Sequence, residues 1–147
     1  MPRKSPSKRE AEGGFLSEFD RAAVPGGAAA RCGPELVAPE GVEAQTCVLS
    51  RGGETWARTY HRNTTGEELR SVLTLMAPGG RTVELHCALA ADDEPGSCET
   101  PREPSAGKLS AYRAVAEFAG AGPVEEAPLL LRAGSDRAPG DADTAAD

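Results

Sequence analysis

From Arg81 to Leu89 the chain alternates strictly. Val83, Leu85, Cys87 and Leu89 share one parity, and Thr82, Glu84, His86 and Ala88 share the other. That is the period of a strand with one buried and one solvated face. Leu69, Ser71, Leu73 and Leu75 repeat it just upstream, and Pro78-Gly79-Gly80 between the two runs reads as a hairpin turn. A chain patterned this way is constrained to an antiparallel sheet with one face against a core.

The same period extends in both directions. Val42 to Leu49 is a candidate strand closed by Ser50-Arg51-Gly52-Gly53, and Glu54 to Arg62 follows, rich in the Thr, Trp and Tyr that suit a pleated surface. Glu67 to Met76 and Arg81 to Leu89 form the hairpin. Lys108 to Ala119 places Tyr112, Ala114, Ala116 and Phe118 on one face; its Ala, Glu and Arg also suit a helix, but an all-β neighbourhood and the run Ala127 to Ala133 after it favour a strand. About six strands separated by Gly and Pro turns predict an all-β fold, a small antiparallel β-sandwich, with a barrel as the other closed arrangement.

The regions outside this pattern set the domain limits. Residues 1–41 hold Gly13-Gly14, Gly26-Gly27, Gly33-Pro34 and Pro39 and read as a flexible N-terminal arm. Residues 42–134 form the sandwich domain, and residues 135–147, mostly Asp, Ala, Pro and Gly, read as a disordered acidic tail. Within the arm, Phe15, Leu16 and Phe19 have the i, i+4 spacing of a short apolar helical face, too short to be stable alone. Such a segment either docks on the domain or binds something else.

Composition narrows the function classes. The net charge of −7 argues against a folded nucleic-acid binder, which needs clustered Lys and Arg; Arg3, Lys4, Lys8 and Arg9, interleaved with Pro2 and Pro6, read as a solvated tail. No apolar run approaches the ~20 residues of a membrane span, and the first residues lack the apolar stretch of about 7–15 residues found in a secretory signal. Thirteen Arg against three Lys, one Asn and no Ile reflect coding from a GC-rich genome, which leaves Val, Leu and Ala to fill the core.

Cys32, Cys47, Cys87 and Cys98 contain no C-x-x-C pair to seed a zinc or redox centre, so neither metal nor cofactor is expected. Of the three pairings, Cys87 to Cys98 ties a strand end to the loop after it, and Cys32 to Cys47 anchors the arm to the first strand. Four reduced thiols are the other reading. Disulfides would imply an oxidising compartment.

Catalytic signals are sparse. His86 adjoins Cys87, but neighbours on a strand point to opposite faces, and both His61 and His86 are expected to face solvent. Asp92, Asp93 and Glu94 are contiguous, whereas Ca²⁺ loops alternate ligands with spacers. No nucleophile elbow, phosphate-binding loop or metalloprotease motif occurs. A site assembled from scattered Glu, Asp, Arg and Tyr leaves no motif, and fold alone does not decide it. Asn63-Thr64-Thr65 matches the glycosylation triplet.

One constellation is chemically suggestive. Trp56, Arg58, Tyr60 and Arg62 share a strand face. Exposed, it is a platform for a protein, a glycan or a planar anion; with Trp56 in the sandwich core, the stripe is structural. Tyr60-His61-Arg62-Asn63-Thr64-Thr65-Gly66, the alternating strand after it and Pro78-Gly79-Gly80 together resemble Ig-like or fibronectin-like modules of bacterial surface and secreted proteins. The resemblance implies a binding or spacer module, not an enzyme, and assigns no functional residue.

The expected protein is therefore a non-enzymatic interaction or spacer module of a GC-rich bacterium. It would be exported or associated with the cell envelope, where it would meet a protein or other envelope partner. The alternative is a cytoplasmic accessory or regulatory protein that binds its partner through the N-terminal arm.

Overall fold

The computed structural model of the chain describes residues 27–123 and 126–136. They contain no α-helix and ten strands: β1 (Ala29–Cys32), β2 (Leu36–Val37), β3 (Val42–Arg51), β4 (Glu54–Asn63), β5 (Leu69–Met76), β6 (Thr82–Leu89), β7 (Pro95–Glu99), β8 (Glu103–Pro104), β9 (Arg113–Gly120) and β10 (Leu129–Gly134). One sheet runs β1-β3-β4-β7, with β2 also on β3 and β8 also on β4; the second runs β10-β9-β5-β6. Every pairing is antiparallel. The fold is a small β-sandwich, and the six strands expected from the alternation are present, except that the one expected from Lys108 begins only at Arg113, Leu109–Ala111 forming a 3-10 turn.

Local chemistry explains the two long hairpins. Gly52 and Gly53 both have positive φ, at 60° and 82°, which a two-residue turn requires if it is to follow the right-handed twist of β3 and β4. In the second sheet, Leu69, Ser71, Leu73 and Leu75 of β5 are buried and the residues between them are half-buried. Their neighbours on β9, Ala114, Ala116 and Phe118, are buried as expected. Against them the first sheet sets Val42, Ala44, Val48 and Ala57 to form the inter-sheet core.

The ordered structure is wider than the sequence pattern. β1 and β2 fall inside the region read as an arm, and β7 and β8 inside the polar loop from Ala90 to Gly107. These are short edge strands, held by pairing to β3 and β4 and not by an apolar face of their own, so alternation did not reveal them. The start of the acidic tail is also fixed. Ser135 is buried and exchanges hydrogen bonds with Ala114: its N–H donates to the Ala114 carbonyl at 2.8 Å, and its Oγ accepts from the Ala114 N–H at 2.9 Å. Asp136 pairs with Arg113 at 2.8 Å and with Arg31 at 3.3 Å. The expectations for residues 1–26 and 137–147 lie outside the described residues.

Two disulfides form, in the expected pairing. Cys32 and Cys47 are cross-strand partners on β1 and β3, whereas Cys87 on β6 and Cys98 on β7 tie the two sheets together along one side of the sandwich. The opposite side closes by backbone contact: a Cβ on Gly33 would lie 1.8 Å from the Gly134 carbonyl oxygen, so only glycine lets the chain after β1 approach the end of β10.

Candidate interaction face

Strand β4 carries two very different faces. Its pairing sets Ala57 against Val48 and Trp56 against Leu49. Val48 and Ala57 belong to the core between the sheets, so alternation turns Trp56, Arg58, Tyr60 and Arg62 to the outside of the first sheet. The stripe read from the sequence is thus brought together on one face, as expected, but Trp56 is not a sandwich-core tryptophan.

Nor is this face an open platform. Trp56 and Tyr60 are both 0 % exposed and form a second apolar cluster with Cys47 and Leu49, flanked by Cys32. Each aromatic side chain removes about 150–250 Å² from water, on the order of 4–6 kcal/mol at 25 cal/mol per Å². At that magnitude the aromatics of the stripe are structural, and its charged groups form the rim.

The rim is built by register. Cys32, Cys47, Arg58 and Glu99 lie directly across four successive strands. Glu99 Oε2 accepts from Arg58 Nε at 2.7 Å, from Arg58 Nη2 and from Trp56 Nε1 at 2.9 Å. Arg58 Nη1 donates to the Tyr60 hydroxyl at 3.2 Å, and the guanidinium lies 5.7 Å from the Tyr60 ring centroid. Burial works against the Arg58 charge, but the Tyr60 hydroxyl and the Glu99 carboxylate more than offset it and raise its pKa. Arg102 stacks 3.9 Å over the Trp56 ring, and Arg62 donates from Nε to the Asp93 carbonyl at 2.9 Å.

Glu99 and Arg102 were not singled out in the sequence, because Pro95 to Glu99 lacks an alternating pattern. A signal was nonetheless present: once Cys98 is paired to Cys87 and points inward, its neighbour Glu99 must point outward.

The remaining candidates separate. His86 is exposed on β6, as expected, 4.0 Å from Glu84. His61 is corrected: it shares the inward parity of Ala57, and its ring meets Phe118 edge-on at 6.4 Å between centroids. Its Nδ1 is buried without a hydrogen-bond partner, and burial pushes its pKa down against the opposing field of Asp92. Asn63 is also buried, its Nδ2 donating to the carbonyls of Glu67 at 2.7 Å and Ala90 at 3.2 Å, so the glycosylation triplet is not presented to solvent. Asp92 Oδ1 accepts from the Glu94 N–H at 3.0 Å in an exposed turn. Among the described residues no group of three or more His, Cys, Asp or Glu side chains is placed to hold a metal ion, and no helix is long and apolar enough to cross a membrane.

Comparison of the chain with protein-family models, with curated proteins and with solved structures returned no match.

Proposed function

We propose that the protein is a non-enzymatic interaction or spacer module, exported or associated with the cell envelope of a GC-rich bacterium. The observation that carries this reading is the pair of disulfides, one inside a sheet and one between sheets, in a domain small enough for cross-links to matter. The resemblance of the Tyr60 to Leu85 region to Ig-like and fibronectin-like surface modules points the same way. Partner contact falls on the charged rim of the first sheet, Arg58, Arg62, Glu99 and Arg102, and on the turn at Asp92 to Glu94. Arg side chains backed by aromatic rings suit a carboxylate-bearing protein or glycan.

Alkylation of the protein from its native host, before and after reduction, tests the compartment. Labelling of all four cysteines only after reduction supports the exported module; labelling without reduction moves the protein to the cytoplasm and to the accessory alternative. The rim is tested by Arg58→Glu with Arg62→Glu. Loss of association with the envelope fraction by a folded variant supports the rim as the contact, and unchanged association removes it.

A further inference from the structure

The two outer faces of the sandwich differ in a way that calls for a covering element. On the second sheet, Thr82, Glu84, His86 and Ala88 point outward and are exposed, as an outer face should be. On the first sheet, Leu49, Trp56 and Tyr60 point outward and are 0 % exposed. Among the described residues, the one partly buried apolar neighbour of this cluster is Cys32. The guanidinium of Arg102 lies over Trp56 and that of Arg58 over Tyr60. β2 and β8 extend the sheet sideways, and Leu109 in the turn before β9 packs on the inter-sheet core, so no described element lies across this face.

We infer that the outer face of the first sheet is the docking site of the chain's own segment Phe15-Leu16-Ser17-Glu18-Phe19, seated on Trp56, Tyr60 and Leu49.

Three features select this occupant. Phe15, Leu16 and Phe19 make an apolar stripe of matching size, and with Phe118 in the inter-sheet core they include the other two phenylalanines of the chain. The segment is tethered beside the site: β1 starts at Ala29 and pairs with β3 on this same sheet. The nine residues 20–28 reach up to about 30 Å when extended, whereas β1 and β4 are two strand spacings apart, about 10 Å. The charges also match, Glu18 and Asp20 approaching a face that carries Arg58 and Arg62. A stripe too short to hold a helix in water gains its order from such a surface. The short tether gives the segment an effective concentration in the millimolar range, well above that of a free competitor. The partner-binding arm of the accessory alternative would then be spent within its own molecule. The inference rests on the placement of Trp56 and Tyr60; with the segment seated, Arg58 and Arg62 face its own acidic residues, and the partner contact of the module reading is left to the turn at Asp92 to Glu94.

Trp56 is the only tryptophan and reports directly on its cover. In the full chain, Phe15→Ser with Phe19→Ser is expected to shift Trp56 emission to the red and raise its acrylamide quenching severalfold, with β-sheet circular dichroism retained. A photo-reactive benzoylphenyl group carried at position 19 is expected to cross-link to the peptide spanning 47–60 of the same molecule, and this reading does not depend on a variant with a weakened fold. Unchanged emission and quenching in the double variant would overturn the inference. So would cross-links to another element, or cross-links joining two copies, which would assign the cover to a second molecule. Neither measurement uses an envelope partner, so failure of the module proposal leaves both outcomes readable.

Discussion

The indole Nε1 of Trp56 donates to Glu99 Oε2 at 2.9 Å, which ties a fully buried aromatic on β4 to a carboxylate on edge strand β7. The same oxygen accepts from Arg58, so one carboxylate satisfies both a buried neutral donor and a largely covered cation. Any change at Glu99 therefore acts on two residues at once.

Glu99→Ala leaves the indole N–H and the Arg58 guanidinium short of an acceptor, and the expected loss of stability is about 1–3 kcal/mol. Glu99→Gln keeps an acceptor oxygen but not the charge and is expected to fall between wild type and Glu99→Ala. Urea unfolding followed by Trp56 fluorescence distinguishes the three proteins.

His61 makes stability dependent on pH. Burial lowers its folded-state pKa below the unfolded value of about 6.5, so below that pH the unfolded chain binds more protons than the folded one. Stability is then expected to fall as pH drops through 6.5 toward the lowered folded pKa, and the effect to be absent above it. Thermal unfolding between pH 7.5 and 5 measures the slope, and His61→Gln is expected to flatten this component.

The two disulfides are expected to contribute separately. Cys87→Ser with Cys98→Ser removes the tie between sheets and is expected to cost on the order of 2–3 kcal/mol for a loop of this length. Cys32→Ser with Cys47→Ser removes a link within one sheet and also loosens the cluster around Trp56. Its expected signature is a rise in Trp56 quenching that the first pair does not show.

Asn63 closes β4 by bonding two carbonyls through Nδ2 and accepting from the Thr65 N–H at 3.0 Å. Asn63→Ala leaves those part-buried groups without their partner, and the expected cost is about 1–3 kcal/mol. Asn63→Asp has no donor for the carbonyls of Glu67 and Ala90 and is not expected to rescue. Denaturant titration of both variants checks this, and expression in a glycosylating host is expected to leave the mass of the wild-type protein unchanged.

Much of this architecture was legible before the fold. The alternation at Leu69 to Leu75 and Val83 to Leu89 depends on neighbours along the chain, as does the turn at Gly52-Gly53, so period and turn follow from local chemistry, and the short cysteine spacings favoured the pairing that formed. The inward residues of β5, β6 and β9 were visible for the same reason, each strand having one clearly apolar face.

Strand β4 did not announce its orientation. Trp56 and Tyr60 are larger and more apolar than Ala57, Thr59 and His61 opposite them, and hydrophobicity alone would turn them inward. The register with β3 decided otherwise. Val42, Ala44 and Val48 share a parity with Ala57 and His61, and it is this set that meets Phe118 and the leucines of the second sheet across a gap of about 10 Å. Short edge strands such as β1 and β7 were invisible for a related reason: they owe their order to hydrogen bonds with strands distant in sequence. By itself, the sequence determined the period and the turns and favoured one cysteine pairing among three; only the tertiary structure decided that those disulfides form and which face of β4 met the core, because both outcomes depend on volume and pairing shared among strands that no single stretch of chain contains.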